Sequence, residues 1–451
     1  MKTISKGKMW CFAVGQFGWS LLSALITNWL VYFYQPDEAN IAAGQTLFIP
    51  QGRVILGIVT IIGGISALGR VFDAVSDPLI ANLSDRSTNP RGRRIPFMQR
   101  IAVPFALVTV LVFCCPVNGI STLNSLWLLI TLLLFYLFMT TYCTPYNALI
   151  SELGTTQETR INISTYISVT FLLGSAIGYA APFIWGALTP SMGRILSIRV
   201  TFAVLAVIGL IALFFPTFTI REKDYVTSVP SNDNAFTSLG KTFRNKDFRI
   251  FVGSDVLYFV ALTIFQTGLP FFITTLMKLP ETMTTILYVA MTLLSFACYM
   301  PVSMLAKRFT KKHLVLIGFV GLAVVYCITA VSGLAGIGGM VWGVIIVCMA
   351  AFPMAILGIL PQAIVADIAQ ADAMTTGENR EGMFFAARTF AFKMGQSISM
   401  LLFTAFASIG RETGVGYRIA AVTAAVICFA GAVVLSRYDE KKVMGIIVPE
   451  K

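Results

Sequence analysis

In the segment GRVFDAVSDPLIANLSDRS, residues 69–87, a run that otherwise reads as apolar helix carries Arg70, Asp73 and Asp77. Spacings of three, four and seven residues place all three on one helical stripe, with Ser76 beside them. A charged side chain at the centre of a membrane span costs about 2.5–3.5 kcal/mol on insertion scales. It persists where it faces a polar cavity, pairs with another charge or binds an ion. Two carboxylates at i, i+4 with a neighbouring hydroxyl supply hard oxygen ligands, which suit an alkali cation or a shared proton. That reading makes the stripe a cation-coupling site. The alternative is a structural clamp in which Arg70 neutralises Asp73. Asp85 and Arg86 fall at the following loop and read as structural.

Other charges interrupt apolar runs further along. Asp255, with Tyr258 one turn on, lines a cavity or serves the structure. The run MFFAARTFAFKMGQSISMLLF carries Arg388 and Lys393. Lys393 lies too deep to snorkel easily, and calls for a partner carboxylate such as Asp73 or Asp77. That gives it a coupling role. Arg388 lies nearer the end of the run and can snorkel. Asp367, Asp372, Glu378, Arg380 and Glu381 read as a solvated segment.

The elements that must position these residues follow from composition. Of 451 residues, 57% are hydrophobic and 12% charged, about half the charged share of a soluble domain. Mean hydropathy is +0.80. Apolar runs long enough to cross a ~30 Å hydrocarbon core recur along the chain. The reading is an all-α polytopic membrane protein with twelve transmembrane helices, near 9–34, 54–82, 97–116, 124–150, 161–188, 195–216, 249–276, 284–306, 313–334, 338–369, 384–409 and 415–436. Residues 1–216 form an N-terminal six-helix half, 217–248 a central loop, and 249–451 a C-terminal six-helix half with a tail. The first apolar run reads as a span rather than a cleavable leader.

The net charge of +12 sits in short loops: Lys2, Lys6 and Lys8; Arg86, Arg91, Arg93 and Arg94; Arg221, Lys223, Lys241, Arg244 and Lys246; Lys307, Arg308, Lys311 and Lys312; Arg437, Lys441 and Lys442. With twelve alternating spans all of these share one side, while the other has Arg53, Arg194, Lys278 and Arg411. The basic side is expected to be cytoplasmic, with both termini there. This distribution argues against nucleic acid as a partner. The eight cysteines show no CxxC and no adjacent histidines, so metal ligation and disulfides are not expected, and the thiols read as small packing residues. His313, the only histidine, reads as an interface residue. Neither a nucleophile–base pair nor a nucleotide loop is apparent, so no enzyme and no cofactor are expected.

The halves resemble each other weakly. The second span of each half has a proline near its end and then a basic loop, and spans 1 and 7 begin FAVGQFGW and FVGSDVLY. A six-plus-six repeat is the architecture of major-facilitator transporters.

RVFDAVSDP before a basic loop, TPYNALISEL closing span 4, SLGKTFRNKDF in the centre and ENREGMFFAARTFAFKMG into span 11 resemble the glycoside–pentoside–hexuronide:cation symporters of the major facilitator superfamily. The resemblance covers nearly the whole chain. It implies that Asp73 and Asp77 bind the coupling cation with Ser76 and Thr140, and that Lys393 links the halves near it. The coupling cation the resemblance implies is sodium, with a proton as runner-up. The sugar site departs from the galactoside-binding pattern of Asp, Asp, Arg and Trp: the matching positions read Ser20, Cys143, Ile167 and Asn147. A thiol or an isoleucine cannot accept from sugar hydroxyls as a carboxylate does. The remaining cavity is expected to be lined by Gln16, Trp19, Ser20, Tyr142, Cys143, Asn147, Tyr166, Asp255, Tyr258 and Gln266. Asn147 and Tyr166 are equally compatible with interhelical packing.

The expected function is symport of a sugar, glycoside or uronide with sodium or a proton by alternating access, in a monomer of the bacterial inner membrane surrounded by lipid. Two alternatives stand beside it: a carrier of an amphipathic substrate such as a lysolipid, and a non-transporting sensor. The loop 35–53 is longer than a simple connection needs.

Overall fold

The computed structural model of the protein describes residues 4–52, 57, 59–87, 89–154, 157–225, 240–306, 308–334, 336–377 and 381–447. Lys2, Arg53, Lys307, Glu378 and Arg380, named above, lie outside these. The chain divides into two compact units, Met1–Gly57 with Gly64–Asp233, and Ile58–Gly63 with Asn234–Lys451.

The first unit contains α1 (Lys6–Tyr34), α2 (Glu38–Ala42), most of α3 (Ile61–Asp85), α4 (Ile95–Leu111), α5 (Thr122–Leu153), α6 (Gln157–Tyr179), α7 (Ala181–Met192) and α8 (Arg194–Thr219). The second contains α9 (Lys246–Phe271, continued by a π turn Phe272–Leu276), α10 (Thr282–Ala297), α11 (Tyr299–Leu305), α12 (Lys311–Val331), α13 (Gly339–Thr376), α14 (Glu381–Ala407), α15 (Val415–Ser436) and α16 (Glu440–Ile447). Ten segments among the described residues are long and apolar enough to cross a membrane. The two remaining spans are α4, which is 17 residues long, and α3, whose apolar run carries Arg70, Asp73 and Asp77.

Several boundaries differ from the sequence expectation. α3 begins at Ile61, where the hydroxyl of Thr60 accepts from Gly63 N at 3.0 Å. The fifth span breaks after Tyr179, just before Pro182, which has no N–H for the helical ladder. The eighth breaks near Pro301. α13 runs on to Thr376 and stops at Gly377, whose φ of +74° is the left-handed conformation that ends helices.

Without a hydrophobic force between helices in lipid, small residues let backbones approach. α1 packs on α6 and α8 in this way. A Cβ at Gly18 would stand 2.8 Å from Gly209 O, and one at Gly174 would stand 2.1 Å from Ser20 Oγ.

The loop after α1 is a packed cap on the first unit. Asp37 caps α2 through Asn40 N at 2.9 Å. Arg194 donates to Gln45 Oε1 (3.0 Å) and Asn40 Oδ1 (2.6 Å). Phe48 stacks on Phe33 with centroids 5.5 Å apart, and Asn124 Nδ2 donates to Phe48 O at 3.0 Å. These bonds account for the loop's length.

Each unit also carries a carboxylate staple at its basic face. Glu222, just past α8, accepts from Arg93 N (2.8 Å), Arg94 N (2.8 Å) and Ile95 N (3.1 Å) at the start of α4. Glu440, just past α15, accepts from Lys311 N (2.9 Å) and Lys312 N (2.8 Å) at the start of α12. A second carboxylate then pairs with the same basic loop. Glu152 on α5 meets Arg93 and Arg94 at 3.2 Å each, and Asp367 on α13 pairs with Lys311. Each staple joins the third, fourth and sixth spans of its unit, so the weak sequence repeat is a structural one. It also corrects the solvated reading of Asp367 and Asp372: Asp372 Oδ1 accepts from Asn245 Nδ2 at 3.0 Å.

Candidate functional site: the carboxylate–hydroxyl ladder of α3 and α5

α3 and α5 run side by side in parallel register, and their polar residues meet in rungs. Thr140 Oγ1 donates to Asp73 Oδ1 at 2.8 Å. One turn on, Thr144 Oγ1 donates to Asp77 Oδ1 at 3.3 Å. Both rungs join residues 67 apart, so the i, i+4 acids of one helix face i, i+4 threonines of the other. Ser76 Oγ lies 3.0 Å from the Asp73 carbonyl and 3.4 Å from Thr140 Oγ1. Pro78 and Pro145 follow the second rung on their respective helices. Each removes an N–H and so relieves the carbonyl four residues earlier of its helical donor. The rungs thus bring two carboxylates and three hydroxyls together. Asp73 is fully buried, Ser76 and Thr140 are buried, and Asp77 and Thr144 are half-buried.

Arg70 forms no ion pair within 4 Å among the described residues. Its guanidinium carbon lies 5.1 Å from the centre of the Tyr136 ring, and its Nη2 is 3.4 Å from Thr27 Oγ1 on α1. This geometry does not support the clamp reading. Thr144 was not among the expected ligands. The signal was present in TTYCTPY, where threonines at 140 and 144 repeat the spacing of the two acids.

The other expected residues are placed as follows. Gln16 is buried and its Oε1 accepts from Trp19 Nε1 at 3.1 Å. Ser20 donates to Phe17 O at 3.1 Å, against α6. Tyr142 belongs to the core rather than to a cavity wall: it is fully buried and its hydroxyl donates to Leu213 O on α8 at 2.8 Å. Cys143 is half-buried, Ile167 is half-buried and Asn147 is exposed. Tyr166 stacks on Trp10 with centroids 4.3 Å apart, the packing role open to it.

In the second unit Arg388 does not snorkel. It is buried and makes a bidentate pair with Asp255, Nε to Oδ2 at 2.7 Å and Nη2 to Oδ1 at 3.0 Å. Tyr258 is buried against Phe319 with centroids 6.2 Å apart, and Gln266 is half-buried. Lys393 is half-buried on α14, beyond Arg388. His313 is exposed and contacts the hydroxyl of Thr310 through Nδ1.

A membrane-embedded ladder of acids and hydroxyls in a chain of paired helical units has the chemistry of ion-coupled transport, and comparison with known proteins decides the family. Residues 11–438 match the family described as MFS/sugar transport protein. The chain belongs to that family. The inner membrane symporter YicJ of Escherichia coli (strain K12) is 26% identical over 226 residues, which cover 49% of this chain and 47% of that one. The isoprimeverose transporter of Lactiplantibacillus pentosus is 23% identical over 258 residues, covering 56% and 49%. The chain therefore spans about half the length of these relatives. The solved D-xylose-proton symporter superposes with a TM-score of 0.66 at 14% identity, over 96% of this chain and 98% of that one. The chain is an integral membrane protein of the major facilitator fold, and its family is one of transporters rather than enzymes.

Proposed function

We propose that this protein is a symporter that couples inward movement of sodium to uptake of a sugar or glycoside. The observation that carries the reading is the pair of rungs at Asp73–Thr140 and Asp77–Thr144, with Ser76 between them. A proton needs a single acceptor, whereas an alkali ion needs several hard oxygens around it. Two acids and three hydroxyls supply them. The bound cation offsets the mutual repulsion of the two carboxylates and draws α3 and α5 together. Substrate then binds, the loaded carrier turns inward, and both solutes leave before it resets. Each inward charge contributes about 2.3 kcal/mol per 100 mV, which supports roughly fortyfold accumulation. Names of relatives that carry sugars support the substrate class. The same reading puts the protein in a bacterial inner membrane as a monomer, with both termini on the basic, cytoplasmic side.

The test is thermal unfolding of detergent-purified protein in sodium against choline, at matched ionic strength and two pH values, for wild type and Asp77→Asn. The expected result is a sodium-specific stabilisation that disappears in the variant. Stability that follows pH and ignores sodium would replace sodium with a proton. Indifference to both would remove the coupling role from this ladder.

A further inference from the structure

The second unit contains another polar seam, between α9 and α14. These helices also run parallel, with contacts 133 residues apart. Asp255 meets Arg388 at the first level. One turn on, Phe259 stacks on Phe392 with centroids 4.4 Å apart and planes 24° apart. The Arg388 guanidinium carbon lies 5.7 Å from the centre of the Phe259 ring, tying the two levels together. The same register brings Thr263 and Gln396 to the third level. Thr263 Oγ1 and Gln396 Oε1 are both buried without a hydrogen-bond partner.

As a helix fastener this seam is poorly built. Charges inside a membrane span are costly, and a buried ion pair is often replaceable by apolar side chains with no loss of stability. Buried polar atoms that find no partner add a further cost. The group instead has the parts of a carbohydrate subsite. The pair uses two of the five guanidinium N–H groups and one lone pair on each carboxylate oxygen. Arg388 can still donate and Asp255 can still accept without parting. Phe259 and Phe392 remain half-buried and offer an apolar edge, and Gln396 adds an unused acceptor. At about 1.5 Å per residue, Asp255 lies about 14 Å along α9 from its first residue, Lys246.

We propose that the α9–α14 seam recognises the substrate, and that the substrate is an uncharged glycoside. Asp255 and Arg388 together take neighbouring ring hydroxyls, the Phe259–Phe392 stack takes the apolar face of the sugar, and Gln396 accepts from a further hydroxyl. The proposal rests on the symporter reading and narrows it. The pair has no net charge, and a uronide carboxylate drawn to Arg388 would stand against the Asp255 carboxylate. Arg388 becomes a specificity residue rather than an anchor in the headgroups.

The experiment uses full-length protein in detergent with sodium. Binding of neutral methyl pyranosides, the matching methyl glucuronides and a lysophospholipid is measured for wild type, Asp255→Asn/Arg388→Gln and Gln396→Ala. The double change removes both charges together and leaves no orphan charge. The sodium-dependent melting shift is recorded for each as the readout of fold and cation site. The expected result is binding of a neutral pyranoside and no glucuronide by wild type. The double variant then binds it at least 30-fold more weakly and Gln396→Ala about tenfold more weakly, both with the sodium shift intact. Unchanged sugar affinity in the double variant overturns the proposal and makes the pair a fastener. If the double variant does not fold, unchanged affinity in Gln396→Ala overturns it and a tenfold loss upholds it. Preference for glucuronide or lysophospholipid in wild type overturns the substrate class while leaving cation coupling in place. A wild type that lacks the sodium shift but binds the pyranoside overturns sodium coupling and leaves the seam standing.

Discussion

Replacing Thr140 with valine removes one hydroxyl from the ladder and keeps most of the shape. That hydroxyl is buried and donates to Asp73 Oδ1 at 2.8 Å. A hydrogen bond to a charged group contributes about 1.5–3 kcal/mol. In the loaded site the same oxygen turns a lone pair to sodium. At about 1.4 kcal/mol per tenfold change, loss of that ligand alone would weaken sodium binding by about 10- to 150-fold. The empty protein loses the bond to Asp73 as well, which cancels part of the difference. The expected net effect is therefore at the low end, about tenfold. Thr144→Val breaks a longer contact, 3.3 Å, to a half-buried acid, and is expected to cost about threefold, since weaker geometry carries less energy. The assay is melting temperature against sodium concentration with choline making up the ionic strength. A ligand that binds only the folded state raises the melting point with its concentration, so the curve yields an apparent affinity. A Thr140→Val midpoint within twofold of wild type would refute the ladder as the cation site, and so would a larger loss at Thr144 than at Thr140.

Glu222→Ala strips the start of α4 of an acceptor for three main-chain N–H groups. The expected cost is about 3 kcal/mol, or a fall of about 6–12 °C for a unit of this size, and Glu440→Ala should act similarly on the second unit. Melting temperatures within a degree or two of wild type would remove the staples from the account. The exposed pair of Lys442 with Asp247, 2.8 Å apart, raises the Lys442 pKa through that hydrogen bond and through the carboxylate's charge. A raised lysine pKa stabilises fully below the unfolded value of about 10.4 and is lost as pH climbs through the folded value. The stability gap between wild type and Lys442→Met is therefore expected to be flat from about pH 6 to 9, under ~1 kcal/mol because the pair is solvated, and to close above about pH 11. A gap that changes between about pH 6 and 9 would contradict this.

The spans were legible because a bilayer demands long apolar runs, and such runs are visible in sequence. Their ends were less so. Pro182 and Pro301 mark breaks that hydropathy alone does not register, and Asp367 and Asp372 on α13 find partners in Lys311 and Asn245, distant in sequence. The acids at 73 and 77 stood out by local spacing. Thr144 did not, since its role depends on the register between α3 and α5. The same reason hid the Asp255–Arg388 pair, whose members are 133 residues apart. Tyr142 misled in the opposite direction: a tyrosine in a span suggests a polar wall, but a carbonyl on α8 absorbs its hydroxyl.

The staples bear on how such a chain can vary. Glu222 and Glu440 hold main-chain N–H groups, which every residue except proline provides. Much of their grip on the basic loops is thus indifferent to which side chains the loops carry. Arg93, Arg94, Lys311 and Lys312 can drift under selection for membrane orientation without unfastening those bonds. One short segment answers to two separate demands, its backbone to the fold and its side chains to the sidedness of the membrane, and substitutions that satisfy one leave most of the other intact.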